Sequence, residues 1–228
     1  VTQGYNMFIG ILIMMLVGFG YLMAFLHRYG VGAVTFTLMV TAMAIQWALF
    51  TEHFFYSWWN DDWNKVEVNI FTLMNTLFAV SSVLISFGAV IGKISPRGLI
   101  IMCIIELVCH SFNYKILMGG MLEIADMGGT YLDHMFGAYF GLTVAYILGK
   151  PTEEDPGGVV PDIFSLVGTV FLWIYWPSFV SGAAEADSIQ QHRAIVATFL
   201  ALSASTVGTF ISSIAFNKER KFRPVDIQ

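Results

Sequence analysis

The chain has few charged residues: lysine, arginine, aspartate and glutamate together make up 12% of its 228 residues, whereas hydrophobic residues make up 57%. So apolar a composition exceeds what a water-soluble core of this length needs. The basic side chains form no stripe along which nucleic acid could bind, so we expect no nucleic-acid partner. With a mean hydropathy of +0.70, the composition predicts an all-α protein that crosses the lipid bilayer several times.

Cysteine and glycosylation signals are also scarce. Cys103 and Cys109 fall inside one apolar stretch, so we interpret both as small buried hydrophobic residues rather than as a disulfide or metal ligands. No Asn-x-Ser/Thr sequon occurs, so glycosylation gives no indication of sidedness. No combination of nucleophile, acid–base pair and metal ligands stands out. We therefore predict that the protein is not an enzyme and that it binds neither a metal nor another cofactor.

Seven hydrophobic stretches dominate what is present. Each approaches or exceeds the roughly 20 residues that a helix needs to cross a hydrocarbon core of about 30 Å. Glycine, proline and charged clusters separate the stretches. We predict one transmembrane domain over residues 1–228, with helices at 7–27, 31–50, 68–92, 98–118, 128–149, 160–183 and 194–216.

The basic residues between these stretches are unevenly divided. Eight of the eleven lysine and arginine residues fall on one side, and only Lys65, Lys115 and Arg193 fall on the other. Because basic residues concentrate in cytoplasmic loops, this division predicts an external N-terminus and a cytoplasmic C-terminus. Residues 150–159 then form a cytoplasmic loop and residues 217–228 a basic cytoplasmic tail. We expect an integral protein of the plasma membrane.

One hydrophobic stretch carries both an acid and an imidazole. Ionisable groups at such depth are costly and call for a function or a partner. If the helix begins near Gly128, Asp126 lies at its N-cap, where a carboxylate accepts backbone N–H bonds. His134 lies roughly 12 Å deeper and about 80° round the helix axis, so both side chains can face one cavity. A helix cap and a packed core histidine are the alternative, and the spacing alone leaves both open.

Two other groups of residues attract attention. Trp58, Trp59 and Trp63 lie among acidic residues in the segment 51–67, which we predict to be a loop. The first interpretation of these tryptophans is an interfacial belt in contact with lipid. The second is a platform that binds a ligand. Glu106 and His110 are four residues apart, so they share one helical face. They can pair with each other there, as a packing or subunit contact or as a transport relay.

Several motifs follow one another in a fixed order. The most informative begins Asp126-x-Gly-Gly, continues to His134 and ends as Phe-Gly-Ala-Tyr-Phe-Gly at Gly141. The others cover residues 17–23 with 28–30, 45–49, 87–93 with 95–96, and 168–179 with 191–193. Together they resemble the Rh glycoproteins, a branch of the ammonium transporter superfamily. The resemblance spans nearly the whole chain and corresponds to the family's N-terminal portion, without its first helix and its C-terminal helices.

The resemblance implies the first of two inverted repeats and the start of the second. It implies a homotrimer or larger membrane assembly, with a pore in each protomer and further helices present in the natural chain or supplied by another chain. His134 matches the first of the family's two pore histidines, and Asp126 matches the acid below the outer vestibule. Phe78 and Phe179 match two phenylalanines stacked as an outer gate. By composition alone they are ordinary core or lipid-facing aromatics.

The function implied is an ammonia/ammonium channel. A cation at the bilayer centre costs at least about 2.5 to 3.5 kcal/mol, a cost that neutral ammonia largely avoids. Ammonium therefore loses its proton at the outer vestibule and ammonia crosses a hydrophobic pore. Phenyl faces attract the cation by roughly 0.5 to 2 kcal/mol. The alternative is a reduced, non-transporting homologue that serves as a structural membrane subunit or scaffold, and the residues leave both functions open.

Overall fold

The computed structural model describes residues 2–151, 158–218, 220–222 and 224–227. Over these residues the chain forms helices and no β-strand, which agrees with the predicted fold class. Six of the predicted 150–159 loop residues, 152–157, lie outside the described residues. So do residues 219, 223 and 228 of the predicted tail.

Seven long helical segments follow one another along the chain. The first, α1, combines an α-helix (Thr2–Ile13), a π-helical segment (Met14–Phe19) and two short turns (Gly20–Leu22 and Met23–Phe25). The others are α2 (Gly30–Asn60), α3 (Ile70–Val90), α4 (Pro96–Leu117), α5 (Thr130–Met135, π-helical, continuing as an α-helix over Phe136–Leu148), α6 (Val159–Ser181) and α7 (Ile189–Phe216). A 3₁₀ turn, Pro224–Ile227, follows α7.

The predicted number of helices is therefore confirmed, although the seven helices are not equally suited to cross a membrane. Within the described ranges, six helices are long and apolar enough to cross a membrane. The exception is α5, because its π-helical start leaves a regular α-helix of only 13 residues.

The prediction that α2 ends at residue 50 is wrong. The helix continues to Asn60 and ends where Asp61 adopts a left-handed conformation, with φ of 51°. Its 31 residues span about 46 Å at 1.5 Å per residue, which exceeds a hydrocarbon core of about 30 Å. Trp58 and Trp59 consequently lie on the last turns of a helix that projects beyond the apolar layer, and not in a loop.

Polar caps determine where several helices begin. The side chain of Asn69 accepts the backbone N–H groups of Phe71 and Thr72, and Thr72 reciprocates in a capping box at the start of α3. Ser95 accepts from the backbone of Gly98 at the start of α4. Ser188 caps α7 in the same way, so that helix begins at Ile189 rather than at the predicted 194.

Helix α3 lies at the centre of the packing, with α5 pressed closely against it. A Cβ atom added at Gly137 would lie 2.6 Å from the carbonyl oxygen of Ser82, and one at Gly141 would lie 2.8 Å from Cα of Ser86. Only glycine allows this backbone approach, which is how small residues bring membrane helices together. Gly168 of α6 plays the same part against α1. These contacts hold α5 against α3 and α6 against α1.

Large apolar surfaces remain outside this packed centre. The most apolar stretch of α7 has no buried residue. Tyr139 and Tyr146 of α5 are also exposed, as expected of a protein whose surroundings are lipid or other helices. Cys103 is buried as predicted, but Cys109 is exposed, so the interpretation of both cysteines as buried residues is wrong for Cys109. Both are free thiols.

Candidate functional site

A polar cavity of about 840 Å³ opens on the side of the molecule where α2 and α4 end and α5 begins. Helix α2 contributes Glu52 to its wall, and α4 contributes His110. Five acidic residues but only two lysines line the cavity: Glu52, Asp62, Glu67, Asp126, Asp133, Lys65 and Lys115. The acidic excess favours the entry of a cation.

Lys115 has an aromatic partner in the cavity wall. Its side chain is largely buried, and Nζ lies 4.4 Å from the centre of the Tyr56 ring. A ring face at this distance attracts the ammonium group by roughly 0.5 to 2 kcal/mol. The lysine is therefore held against the wall by an aromatic partner, while the neighbouring carboxylates face the cavity.

Asp126 holds the turn that begins α5. Its Oδ2 accepts hydrogen bonds from the backbone N–H groups of Tyr131, at 2.9 Å, and Leu132, at 2.8 Å. The formal capping residue is Gly129, because the helix begins at Thr130 and not at the expected Gly128. Gly129 has φ of +67°, and a Cβ atom there would collide with the carboxylate of Asp133. The turn therefore requires glycine at this position and an acceptor at Asp126.

Phe78 of α3 forms part of the cavity wall, and Phe179 of α6 lies behind it. The two ring centres are 5.0 Å apart, with 78° between the ring planes. The rings thus meet edge to face and are not stacked in parallel, an arrangement that suits their quadrupoles. Phe179 is fully buried. Trp176, one turn earlier on α6, stacks on Phe179 with ring centres 5.7 Å apart.

His134 lies against the same rings. Its ring centre is 5.7 Å from that of Phe179 and 5.3 Å from that of Trp176. Nδ1 lies 3.0 Å from the carbonyl oxygen of Gly129. Because a carbonyl can only accept, Nδ1 carries the hydrogen, which leaves Nε2 of the neutral imidazole as an acceptor. Nε2 is buried and has no hydrogen-bond partner among the described residues.

The structure thus brings Phe78, Phe179 and His134 into one continuous series of contacts. We call these three side chains and Trp176 the ring cluster. The series begins at the cavity, passes from Phe78 to Phe179 and reaches His134. Asp126 stands at the cavity end and orders the first turn of the helix that carries His134. A polar entrance, a barrier of rings and a buried imidazole acceptor follow one another in that order.

The expected pairing of Glu106 with His110 does not occur. Nε2 of His110 lies 3.1 Å from Oδ1 of Asp133 on α5, and Oε1 of Glu106 lies 2.5 Å from Oγ of Ser86 on α3. Both residues turn towards the helix packed against them, so their contacts are internal to this chain. Asp133 was overlooked by the sequence reasoning, which considered only Asp126 and His134 on this stretch. An acid inside an apolar stretch was the available signal.

No three His, Cys, Asp or Glu side chains among the described residues converge as metal ligands. What the helices and the site define is a membrane protein of several spans, in which an acidic cavity ends at packed rings and a buried histidine. The model of the Ammonium Transporter Family matches residues 4–228, so the chain belongs to that family.

Individual relatives agree with this assignment and with the predicted Rh branch. The chain is 41% identical to "Ammonium transporter Rh type C" of Xenopus tropicalis, over 98% of this chain and 48% of that protein. It is 40% identical to "Ammonium transporter Rh type B" of Papio hamadryas, over 94% and 47% respectively. The chain spans about half the length of the curated relatives it matches.

A solved structure of Nitrosomonas europaea Rh50, of the Rhesus protein family of channels, has the same fold. It superposes with a TM-score of 0.86 at 29% sequence identity. The superposition covers 99% of this chain and 59% of that one. The resemblance inferred from the motifs is therefore confirmed, and so is the transporter-type fold that it implied.

Proposed function

We propose that the protein to which this chain belongs is an Rh-type ammonia/ammonium channel. In this proposal ammonium enters the polar cavity, gives up its proton there, and neutral ammonia passes the ring cluster towards His134. The single observation that carries the proposal is the series of contacts from the cavity through Phe78 and Phe179 to a histidine with a buried acceptor nitrogen. The names of the relatives support the substrate.

The arrangement can discriminate ammonia from metal cations by charge. The cavity's carboxylates attract any small cation. Behind Phe78 lie the packed rings of Phe179 and Trp176, where a cation costs several kcal/mol and ammonia does not. Nε2 of His134 can accept a hydrogen bond from ammonia without presenting a charge. Sodium and potassium cannot shed their charge, so the rings stop them.

Phe179 is fully buried and in contact with Phe78, so ammonia can pass only when these rings move. We propose that Phe78 and Phe179 form the gate and that Asp126 supports it by ordering the first turn of α5. In this proposal the side chain of Phe78 rotates and connects the cavity to the rings behind it. Such rotations are fast compared with helix motions.

Vesicle alkalinisation tests the proposal. The full-length protein is reconstituted in liposomes with a trapped pH indicator, and an inward ammonium gradient is applied. Entering ammonia binds a proton, so the internal pH should rise faster than in protein-free liposomes. Replacing His134 with Ala should change the rate at least about twofold, because the acceptor beside the rings is lost. His192→Ala, which removes an exposed imidazole, should leave the rate unchanged.

Equal rates with and without protein would refute the channel and leave the scaffold as the remaining function. The contacts within the cavity and ring cluster give the scaffold no specific support. The two outcomes therefore distinguish a channel from a scaffold. The comparison uses protein that is folded in detergent before reconstitution.

We further propose a homotrimer in the plasma membrane, with the N-terminus outside and the loop 150–159 and tail 217–228 in the cytoplasm. The division of lysine and arginine residues supports the orientation, and family membership supports the assembly. The extensive apolar surface of α7 suits lipid or further helices, from this protein or a partner chain. Cysteine labelling of each loop and the mass of the purified complex would test these points.

A further inference from the structure

A buried ionisable pair lies beside the ring cluster, and the function proposed above gives it no role beyond lining the cavity. His110 of α4 and Asp133 of α5 are 3% and 2% exposed. Their nearest polar atoms, Nε2 and Oδ1, are 3.1 Å apart. Both residues also contribute to the wall of the polar cavity. Two ionisable groups at this depth are costly unless they serve a purpose, and they lie where a cation would arrive.

The pair faces away from the ring cluster although Asp133 and His134 are adjacent in sequence. Consecutive residues of a helix point in directions about 100° apart. His134 consequently meets Phe179 of α6, whereas Asp133 meets His110 of α4. The ring of His110 also packs edge-on against Phe136, at 5.5 Å between ring centres. The imidazoles of His110 and His134 therefore lie on two sides of the first turn of α5, in different surroundings.

The protonation pattern of the pair follows from its contacts. An ionised carboxylate accepts only, so Nε2 of a neutral His110 donates to Asp133 and Nδ1 holds the lone pair. Nδ1 is buried and has no hydrogen-bond partner among the described residues. An imidazole with a carboxylate on one nitrogen and an open lone pair on the other has the arrangement of a general base.

Ionisable groups from several elements surround the pair. The titratable groups that face it are Glu52 of α2, Tyr114 of α4, Asp126 in the turn before α5, and His134 of α5. Lys115 and Glu106 are ionisable neighbours on α4 itself; the first is held against Tyr56 and the second bonds Ser86. Acidic side chains therefore outnumber lysines around His110, which favours the approach of ammonium to the pair.

We propose that the His110–Asp133 pair is the base that takes the proton from ammonium in the polar cavity. One N–H bond of ammonium breaks, its electron pair stays on nitrogen, and ammonia leaves. A new N–H bond forms at Nδ1 of His110, and the carboxylate of Asp133 balances the charge of the imidazolium. The proton then returns to water through the cavity. This inference rests on the proposed function, because ammonium is the proton donor.

The pH dependence of ammonia entry tests the inference. Near neutral pH almost all of the substrate is ammonium, so transport depends on a base in the protein. In alkaline buffer free ammonia is plentiful, so that base becomes unnecessary. His110→Gln keeps an N–H donor for Asp133 but cannot take up a proton. We expect it to lower the flux at least about tenfold near neutral pH, and by less than about twofold in alkaline buffer.

Two further variants make the result specific. Asp133→Asn keeps an oxygen for Nε2–H of His110 but removes the charge that stabilises the imidazolium, so it should show the same dependence on pH. If His110→Gln does not fold or assemble, the flux of Asp133→Asn by itself tests whether the pair is the base. Cys109→Ala changes the exposed residue that precedes His110 on α4 and should match the unmodified protein at both pH values.

Each other outcome refutes the inference. Unchanged flux in His110→Gln and Asp133→Asn at both pH values would show that the pair takes no proton. A loss of equal size at both pH values would show a structural role. In these two cases the channel itself stands. If the unmodified protein gives no flux above that of protein-free liposomes at either pH, the proposed function fails, and the inference fails with it.

Discussion

Replacing Asp126 tests whether its carboxylate is needed for its charge or for its two hydrogen bonds. Both backbone N–H groups, from Tyr131 and Leu132, bond the same atom, Oδ2. The amide oxygen of Asn can occupy that place, so Asp126→Asn removes the charge and keeps both bonds. Asp126→Ala removes both bonds and leaves a buried N–H group without an acceptor. The two variants therefore separate the two contributions.

The expected magnitudes follow from the kinds of bond involved. A hydrogen bond to a charged group contributes about 1.5 to 3 kcal/mol, and one between neutral groups about 0.5 to 1.5 kcal/mol. The bond to Leu132 is buried, whereas that to Tyr131 is partly exposed and can be replaced by water. We therefore expect Asp126→Ala to lower the free energy of unfolding by about 3 to 4 kcal/mol and Asp126→Asn by about 1 to 2 kcal/mol.

Denaturant unfolding in detergent micelles, followed by tryptophan fluorescence, measures these values by linear extrapolation. The essential quantity is the difference of about 2 kcal/mol between the two variants. If Asn and Ala were equally destabilising, the charge alone would matter and the proposed hydrogen-bonded turn would be irrelevant to stability. If neither destabilised the protein, Asp126 would have no structural part in the start of α5.

Two further predictions concern the packing of α3. Gly137→Ala should lower the free energy of unfolding by about 1 to 3 kcal/mol, because the new methyl group meets the backbone of α3; the matched Gly208→Ala, where nothing lies within 4 Å, should not. Ser86→Ala should cost about 1 to 3 kcal/mol, because buried Glu106 loses the hydroxyl that it contacts. Thermal unfolding of each variant checks both values, and an unchanged midpoint in either case would contradict the corresponding contact.

Most of the fold was accessible from the sequence because a bilayer imposes a strong rule on it. A helix that crosses the hydrocarbon core must be apolar for about 20 residues, so seven such stretches indicated seven helices. The end of α2 was misjudged for a physical reason. Residues 51–60 are rich in aromatic and polar groups, which suit the membrane boundary as a helix as well as they suit a loop.

The candidate site was only partly predictable. Asp126, Phe78, Phe179 and His134 were assigned through the resemblance to the Rh glycoproteins, and the structure places three of them in successive contact. Asp133 was not predicted, because on this stretch only Asp126 and His134 were considered. No rule of spacing along the chain relates it to His110, which lies 23 residues earlier.

The sequence by itself determined the number of helices and the presence of costly ionisable groups among apolar residues. Only the tertiary structure decided which of those groups meet. Side chains four residues apart on one helix both point at the neighbouring helices, so Glu106 and His110 found partners on α3 and α5 instead of each other. The close approach of α5 to α3 at Gly137 and Gly141 brought those partners within reach.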